Sequence, residues 1–175
     1  MPEVYDEASS VRLAYFDCFS GISGDMALAA LVDAGADLSE IEEVLSGIPG
    51  DEFRLIREQA DVRGISAVRI RVEADPQGLI RTYGSIRGLL DQVELPKGAR
   101  HTAQRIYRRL AEAAAVVGAK ELDFVTFHEF GEVDCLVDIV GCALGLHMLG
   151  VERIDRKSTR LNSSHIQKSR MPSSA

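Results

Sequence analysis

The sequence lacks any long hydrophobic run, since no part of its 175 residues approaches the roughly 20 consecutive apolar residues of a membrane-spanning helix. Its first ten residues are acidic and polar, unlike the apolar segment of a secretory signal. Basic residues are also too few for general nucleic-acid binding: 20 Lys and Arg stand against 27 Asp and Glu, a net charge of −7. We therefore expect a soluble, cytoplasmic protein that binds neither membranes nor nucleic acid.

Cysteine is scarce as well. The three cysteines, Cys18, Cys135 and Cys142, show no CxxC spacing, which disfavours a disulfide framework and favours free thiols in a reducing compartment. Cys135 and Cys142 lie seven residues apart in an apolar segment and are predicted to be core residues rather than metal ligands. Cys18 lies in a polar loop, where either role is open.

Apolar residues become scarce after Ile154. Residues 155–175 read DRKSTRLNSSHIQKSRMPSSA, with five basic side chains, one acidic and four apolar. Such a segment cannot offset its ordering entropy by burial, which predicts a disordered basic tail. The string also resembles the translation of a sequencing-library adaptor joined to a truncated gene. We therefore predict one truncated domain over residues 1–154 and a non-native tail over residues 155–175.

The hydrophobic patterning predicts an α+β fold with mixed α/β layers. Residues 11–16 are typical of a buried strand, and helical spacing follows over residues 24–34 until Gly35. Alternating residues predict an antiparallel hairpin of strands 53–60 and 65–73. Further helices are predicted over residues 40–46, where Ser39 opens the helix, and over residues 83–92, 99–117 and 133–149. The predicted buried stripe of helix 99–117 is Ile106, Leu110, Ala113 and Val117.

A first candidate site is the loop over residues 17–26, DCFSGISGDM, between the first strand and the first helix. Its glycines permit a tightly turned backbone, its serines supply hydroxyl groups, and the helix N-terminus offers unpaired N–H groups. Together these features suit the binding of a phosphate group. The segment has no Walker lysine and is not GxGxxG, so neither an NTPase nor a dinucleotide site is implied. A tight turn capped by Ser23 or Asp25 explains the same residues. The candidate cofactor-binding residues are Ser20, Gly21, Ser23 and Gly24, and the candidate cation ligands are Asp17 and Asp25.

A second candidate site lies in residues 127–138, FHEFGEVDCLVD. Asp134 and Asp138 are four residues apart and share one helical face, where like charges repel unless a cation or an arginine compensates them. Imidazole with carboxylate suits a divalent first-row metal, whereas the absence of HExxH disfavours a zinc protease. The candidate metal ligands are His128, Glu129, Asp134 and Asp138.

The same helix allows a simpler interpretation. Glu132 and Asp134 would then favour only the helix dipole, and Asp138 would pair with an arginine. Gly141 and Gly145 continue the acidic face as a groove open to backbone or ligand. If both candidate sites are functional, we expect them to converge, with Asp17 or Asp25 close to the second group.

Together the two segments resemble the LarC family of nickel-insertion proteins. Residues 17–26 are similar to its first signature and residues 127–141, FHEFGEVDCLVDIVG, to its second; residues 81–86, RTYGSI, resemble a segment between them. The likeness covers most of residues 11–154 in family order. Many relatives carry a histidine-rich stretch before the Arg81 position, whereas residues 74–80 contain no histidine. Family members also continue into a C-terminal region that follows the part matched here.

The resemblance implies a reaction and its cofactors. Nickel enters pyridinium bisthiocarboxylic acid mononucleotide with two nickel–sulfur bonds and one nickel–carbon bond, CTP is hydrolysed, and lactate racemase-type enzymes use the product. The first loop would hold a phosphate of this nucleotide-like substrate, and the second group would deliver nickel or bind an auxiliary cation. CTP with a divalent cation, Mg or Mn, would bind in the missing C-terminal region. The chain would then be an inactive fragment of a nickel chelatase-type lyase, with no catalytic residue assigned.

Two other functions fit the same residues. One is a module that binds or stores nickel or another divalent metal without catalysis, and nickel binding without cofactor production would support it. The other is a phosphate-ester enzyme that uses the Ser/Gly loop and a divalent ion, which turnover of simple nucleotides without nickel would support. A homo-oligomer is compatible with all three functions.

Overall fold

The computed structural model describes residues 11–49, 52–74, 81–127 and 132–157. Within these ranges the chain forms five α-helices and three two-stranded sheets, which confirms the predicted α+β class. The chain divides into two compact units, residues 1–21 with 152–175, and Ile22–Val151. None of the described helices is long and apolar enough to cross a membrane.

The second unit contains all five described helices and two of the sheets. In chain order its elements are α1 (Gly24–Asp33), α2 (Leu38–Ser46), β2 (Phe53–Val62), β3 (Ile65–Ala74), β4 (Arg81–Thr82), α3 (Tyr83–Gln92), α4 (Lys97–Gly118), a 3-10 turn (Leu122–Phe124), β5 (Thr126–Phe127) and α5 (Val133–Met148). Strands β2 and β3 pair antiparallel along their whole length, and the short β4 and β5 also pair antiparallel. The short β4–β5 pair was not predicted from the sequence.

Local sequence explains how the first two helices end and begin. Gly35 adopts a φ of +111°, which glycine tolerates and other residues resist, so α1 stops where the sequence predicted. Helix α2 is capped by Asp37 and not by the predicted Ser39. The Asp37 carboxylate accepts the backbone N–H groups of Ser39 at 2.8 Å and Glu40 at 3.3 Å. An aspartate two residues earlier in the chain thus provides the cap.

The predicted hairpin is confirmed. Arg63 and Gly64 form its two-residue turn with φ values of +56° and +82°, the positive-φ geometry that matches the twist of paired strands. Asp61 closes the turn, because its carboxylate accepts the Gly64 N–H at 2.8 Å. Leu55 and Ile70 are the buried residues of the two strands, and they join the core of this unit.

Helix α4 packs on a different face from the one predicted. Its buried residues are Ala99, Ala103, Tyr107 and Ala111. Of the predicted stripe, Leu110 is partly buried and packs against the core, whereas Ile106 is 36% exposed and Val117 is 89% exposed. Small alanines at four-residue spacing let another helix approach closely. The close packing on this face outweighs the larger apolar area of the face that contains Ile106 and Val117.

The core of the second unit surrounds α5, which is buried along most of its length as predicted. Its fully enclosed side chains include Leu136, Val137, Val140 and Leu144. Helices α1, α2 and α4 all pack against α5, and the hairpin covers α1 through β3. Residues 24–26 of the first candidate segment and residues 133–138 of the second therefore lie on helices that pack against each other.

The first unit contains β1 (Leu13–Phe16) and β6 (Arg153–Arg156), which pair parallel. The predicted burial of the first strand is wrong, because Leu13 is 50% and Tyr15 is 55% exposed. A strand is buried only by what packs on its sheet, and the described residues of this unit include no helix. Strand β6 includes Asp155 and Arg156, so the predicted tail boundary lies inside a strand; residues from 158 onward lie outside the described ranges.

Candidate functional site

The N-terminus of α1 lies directly against the first half of α5. A Cβ atom placed on Gly24 would lie 2.6 Å from both the Cβ and the Cγ of Asp138, which is closer than carbon atoms approach without displacement. One turn further along α5, the Cys142 Sγ lies 3.7 Å from the Gly24 carbonyl oxygen. Position 24 therefore requires glycine, and this close approach brings a carboxylate to a helix N-terminus.

Asp138 is the central residue of this contact. Its carboxylate accepts the backbone N–H of Asp25, which would by itself lower the pKa of that carboxyl. Burial and the charges of Asp25 and Asp134 act in the opposite direction and raise the pKa of Asp138 to about 6. The chain's own carboxylate thus occupies part of the anion-binding helix terminus that the sequence suggested for a phosphate.

Two further predicted ligands flank Asp138. Asp25 is exposed and accepts a short hydrogen bond from the Ser23 hydroxyl. Ser23 occupies the N-cap position of α1, but its side chain makes no capping bond to the helix. Asp134 is exposed in the first turn of α5, four residues before Asp138. The structure therefore brings Asp25, Asp134 and Asp138 into one electrostatically coupled acidic cluster.

The glycines beyond Asp138 form a helix-packing groove. A Cβ on Gly141 would lie 3.2 Å from a methyl group of Leu28, and a Cβ on Gly145 would lie 3.2 Å from the Cβ of Leu31. Side chains of α1 therefore occupy the groove that the sequence left open to backbone or ligand. The groove holds α1 and α5 together and so fixes the position of Gly24 against Asp138.

The remaining residues of the first loop belong to the other unit. Gly21 has a φ of +91°, and its N–H donates to the Cys18 carbonyl at 3.1 Å in a tight exposed turn beside Ser20. Asp17 follows β1, and its Oδ2 lies 3.3 Å from the Nζ of Lys157. The predicted loop is thus divided, with Asp17, Ser20 and Gly21 in one unit and Ser23, Gly24 and Asp25 in the other.

Two predicted ligands, His128 and Glu129, lie outside the described residues. Within the described ranges, no group of three or more His, Cys, Asp or Glu side chains is arranged to hold a metal ion. The partner that the structure gives Asp138 is the backbone N–H of Asp25, and its pairing with an arginine stays a prediction. A metal site at the acidic cluster would need ligands in addition to these three carboxylates.

The cysteines of α5 are poor metal ligands in this arrangement. Burial is the main cause that raises the pKa of Cys135 to about 11 and the pKa of Cys142 to about 12, with Asp138 adding to both. Metals bind the thiolate form, and both thiols stay protonated at neutral pH. All three cysteines, including Cys18, are free.

The family described as nickel insertion protein matches residues 14–173. The chain belongs to the nickel insertion protein family. The matched range includes most of residues 155–175, whose non-native origin stays a prediction.

Relatives of this nickel insertion family member extend well beyond the length of the chain. A nickel insertion protein of Geotalea daltonii is 37% identical over 159 residues, which cover 90% of this chain and 41% of the relative. A second, from a Geobacter species, is 42% identical over 147 residues, covering 82% and 38%. The pyridinium-3,5-bisthiocarboxylic acid mononucleotide nickel insertion protein of Desulfitobacterium hafniense is 38% identical over 144 residues, covering 82% and 36%. The chain thus spans about two fifths of these relatives, and no solved structure matches it.

Sequence reasoning missed two buried polar residues of this family member. Arg81 is only 8% exposed and opens the short β4 strand, and Tyr107 is fully buried on α4. The Tyr107 ring lies 6.1 Å from the ring of Phe127, the last described residue before His128. The four-residue spacing of Ala99, Ala103 and Ala111 around Tyr107 is a signal that could have identified this face.

Proposed function

We propose that this chain contributes the nickel-handling part of a protein that inserts nickel into pyridinium-3,5-bisthiocarboxylic acid mononucleotide. Membership of the nickel insertion family supports the metal, and the Desulfitobacterium hafniense relative supports the organic substrate through its name. Within the chain we assign nickel delivery to the acidic cluster of Asp25, Asp134 and Asp138.

The observation that carries this assignment is the position of Asp138. Its carboxylate is half-buried and lies against α1, close to two other carboxylates, so that its pKa is raised to about 6. Three carboxylates close together, one of them partly shielded from water, destabilise the folded state unless another group compensates their charge. A divalent cation would neutralise that charge, and carboxylate oxygens are suitable first ligands for it.

His128 and Glu129 complete the proposed ligand set. They follow Phe127 in the chain, and the ring of Phe127 lies 6.1 Å from the ring of Tyr107 on α4. An imidazole would favour nickel over the oxygen-preferring Mg²⁺ and Ca²⁺. Asp17, Ser20 and Gly21 stay candidate ligands for the nucleotide or an accompanying cation, as do Ser23 and Gly24.

Nickel binding to the 175-residue chain tests the assignment. Titration calorimetry at pH 7.5 should give at least tenfold weaker nickel binding for Asp138→Asn and for His128→Ala than for the unchanged chain. Asp33→Asn is the matched control, because Asp33 is an exposed acid at the opposite end of α1. Equal nickel affinity in all four proteins would move nickel delivery away from the acidic cluster.

The rest of the reaction we assign to parts of the protein outside this chain. The loop over residues 17–26 contains two aspartates and no basic residue, a poor donor set for a triphosphate, so we propose that CTP and its divalent cation bind elsewhere. The chain alone should therefore hydrolyse no CTP and form no nickel–carbon bond. The free thiols suit a cytoplasmic setting. Nickel binding without any binding of the mononucleotide would instead favour a metal-storage module.

A further inference from the structure

The Tyr107 hydroxyl is the most unusual polar group in the described part of the chain. The side chain is fully buried, and its hydroxyl oxygen has no hydrogen-bond partner among the described residues. Buried hydroxyl groups are nearly always paired, because an unpaired one loses its hydrogen bonds to water and gains none in return. Phenylalanine would fill the same space on α4 without that cost.

The hydroxyl lies in the electrostatic field of the acidic cluster. Burial is the main cause that raises the pKa of Tyr107 well above its ordinary value, and Cys135 and Asp138 raise it further. Arg81 acts in the opposite direction and lowers it. Three separate elements, β4, α4 and α5, therefore bring an arginine, a phenol and a carboxylate into the same neighbourhood.

The protonation state determines what this hydroxyl can do. Because Tyr107 stays protonated at neutral pH, its O–H group is a hydrogen-bond donor. The charge of Arg81 lowers the pKa of this hydroxyl and offsets part of the opposite effect of Asp138. A nickel ion bound by Asp138 would neutralise that carboxylate and so favour an anionic acceptor at the hydroxyl.

We propose that the Tyr107 hydroxyl is a substrate-binding residue that donates a hydrogen bond to an anionic oxygen or sulfur atom of the pyridinium mononucleotide. The arrangement supplies a buried donor without a partner among the described residues, and the charges of the buried Arg81 and of Asp138 act on it. The identity of the bound molecule rests on the proposed function, whereas the need of the hydroxyl for an acceptor does not.

Binding of an accessible analogue, pyridinium-3-carboxylic acid mononucleotide, tests this role. We expect Tyr107→Phe to bind the analogue at least tenfold more weakly in calorimetry with nickel present. Its melting temperature should be equal to or higher than that of the unchanged chain, because the unpaired hydroxyl is gone. Tyr83→Phe is the matched control, since Tyr83 is also a buried tyrosine of the same unit, and it should bind within twofold.

Absorbance provides a second measurement that a purely structural role would not change. The chain has no tryptophan and four tyrosines, so its near-ultraviolet band above 280 nm comes from tyrosine. A new hydrogen bond from Tyr107 should shift this band when the analogue binds, and the shift should be absent from Tyr107→Phe but present in Tyr83→Phe.

The two proposals fail in different ways. Unchanged analogue affinity in Tyr107→Phe, or no analogue binding by the unchanged chain, would overturn the role of Tyr107. A loss of nickel affinity in Tyr107→Phe would also overturn it, by showing that the hydroxyl acts on the metal ligands instead. Nickel binding that still depends on Asp138 would in each case leave the assignment of nickel delivery to the acidic cluster in place.

Discussion

Asp17 and Asp138 are both aspartates of family-like segments, yet their surroundings differ. Asp17 belongs to the first unit, where its side chain is 48% exposed and pairs with Lys157 across 3.3 Å. Asp138 belongs to the second unit, where it is half-buried and accepts a backbone N–H from α1. Water screens the charge of the first aspartate, whereas the second keeps its charge against desolvation and two neighbouring acids.

The difference in burial between these two aspartates indicates which of them is more informative about function. An exposed carboxylate can be exchanged at little cost, so its presence says little about function. A carboxylate held against a helix terminus by a glycine contact is costly when ionised, and its environment is built by α1 and α5, which are distant in the chain. We therefore rank Asp138 above Asp17 as a candidate ligand, and the following substitutions test that ranking.

Gly24→Ala should have the largest effect. The new methyl group would overlap the Cβ and Cγ of Asp138, so the two helices must separate rather than a single side chain rotate. We expect a loss of about 2–3 kcal/mol in the free energy of unfolding, at the upper end of typical overpacking costs. Urea denaturation followed by circular dichroism would measure it.

Gly88→Ala is the matched control for this substitution. Gly88 lies within α3, and a Cβ there meets no atom within 4 Å. Alanine should therefore stabilise the helix by about 0.5–1 kcal/mol through its better helix propensity. If both glycine variants were stabilised equally, the close contact between α1 and Asp138 would be wrong.

Asp138→Asn should have an intermediate and pH-dependent effect. Since the folded state raises the pKa of Asp138 from 3.8 to about 6, the folded protein binds this proton more tightly than the unfolded chain. The unchanged protein therefore loses stability from this group as the pH rises from about 4 to about 6, and the loss is complete above that range. This rise in pKa corresponds to a loss of at most about 3 kcal/mol in the free energy of unfolding. Because the side chain is only half-buried, we expect the asparagine variant to be more stable than the unchanged protein by about 1–2 kcal/mol at pH 8.

Unfolding of the Asp138→Asn variant at pH 4 and pH 8 would measure this gain. Asparagine keeps an oxygen that can accept the Asp25 N–H, so the variant should match the unchanged protein at pH 4. Asp134→Asn is the control, because Asp134 is exposed on the same helical face and should change stability by less than about 0.5 kcal/mol at both pH values. An equal gain at both pH values would mean that charge is not the cause.

The sequence predicted local structure better than it predicted burial. The hairpin, α3 and the long apolar α5 follow directly from alternation, helical spacing and composition. The buried face of α4 did not, because close packing through Ala103 and Ala111 depends on the neighbouring helix rather than on apolar area. Strand β6 was missed because its residues are exposed and carry no alternation signal.

The candidate site shows the same limit. Spacing placed Asp134 and Asp138 on one helical face, and the structure adds that Asp25 comes close to them. No local pattern could indicate that Gly24 contacts Asp138 or that Arg81 is buried, since these features depend on residues far apart in the chain. A pattern in the sequence identifies which residues could react, and tertiary packing decides which of them share an environment.

The ion pair between Asp17 and Lys157 should have the smallest effect. Both side chains are about half exposed, so entropy and solvent screening offset most of the attraction. A double-mutant cycle of Asp17→Asn and Lys157→Ala, measured by urea denaturation, should give a coupling below about 0.5 kcal/mol, and 0.5 M NaCl should remove it. Lys157 also lies in the segment predicted to be non-native, in which case the pair has no counterpart in the natural protein. A coupling above about 1 kcal/mol that persists in salt would reverse the ranking, because Asp17 would then be held as firmly as Asp138.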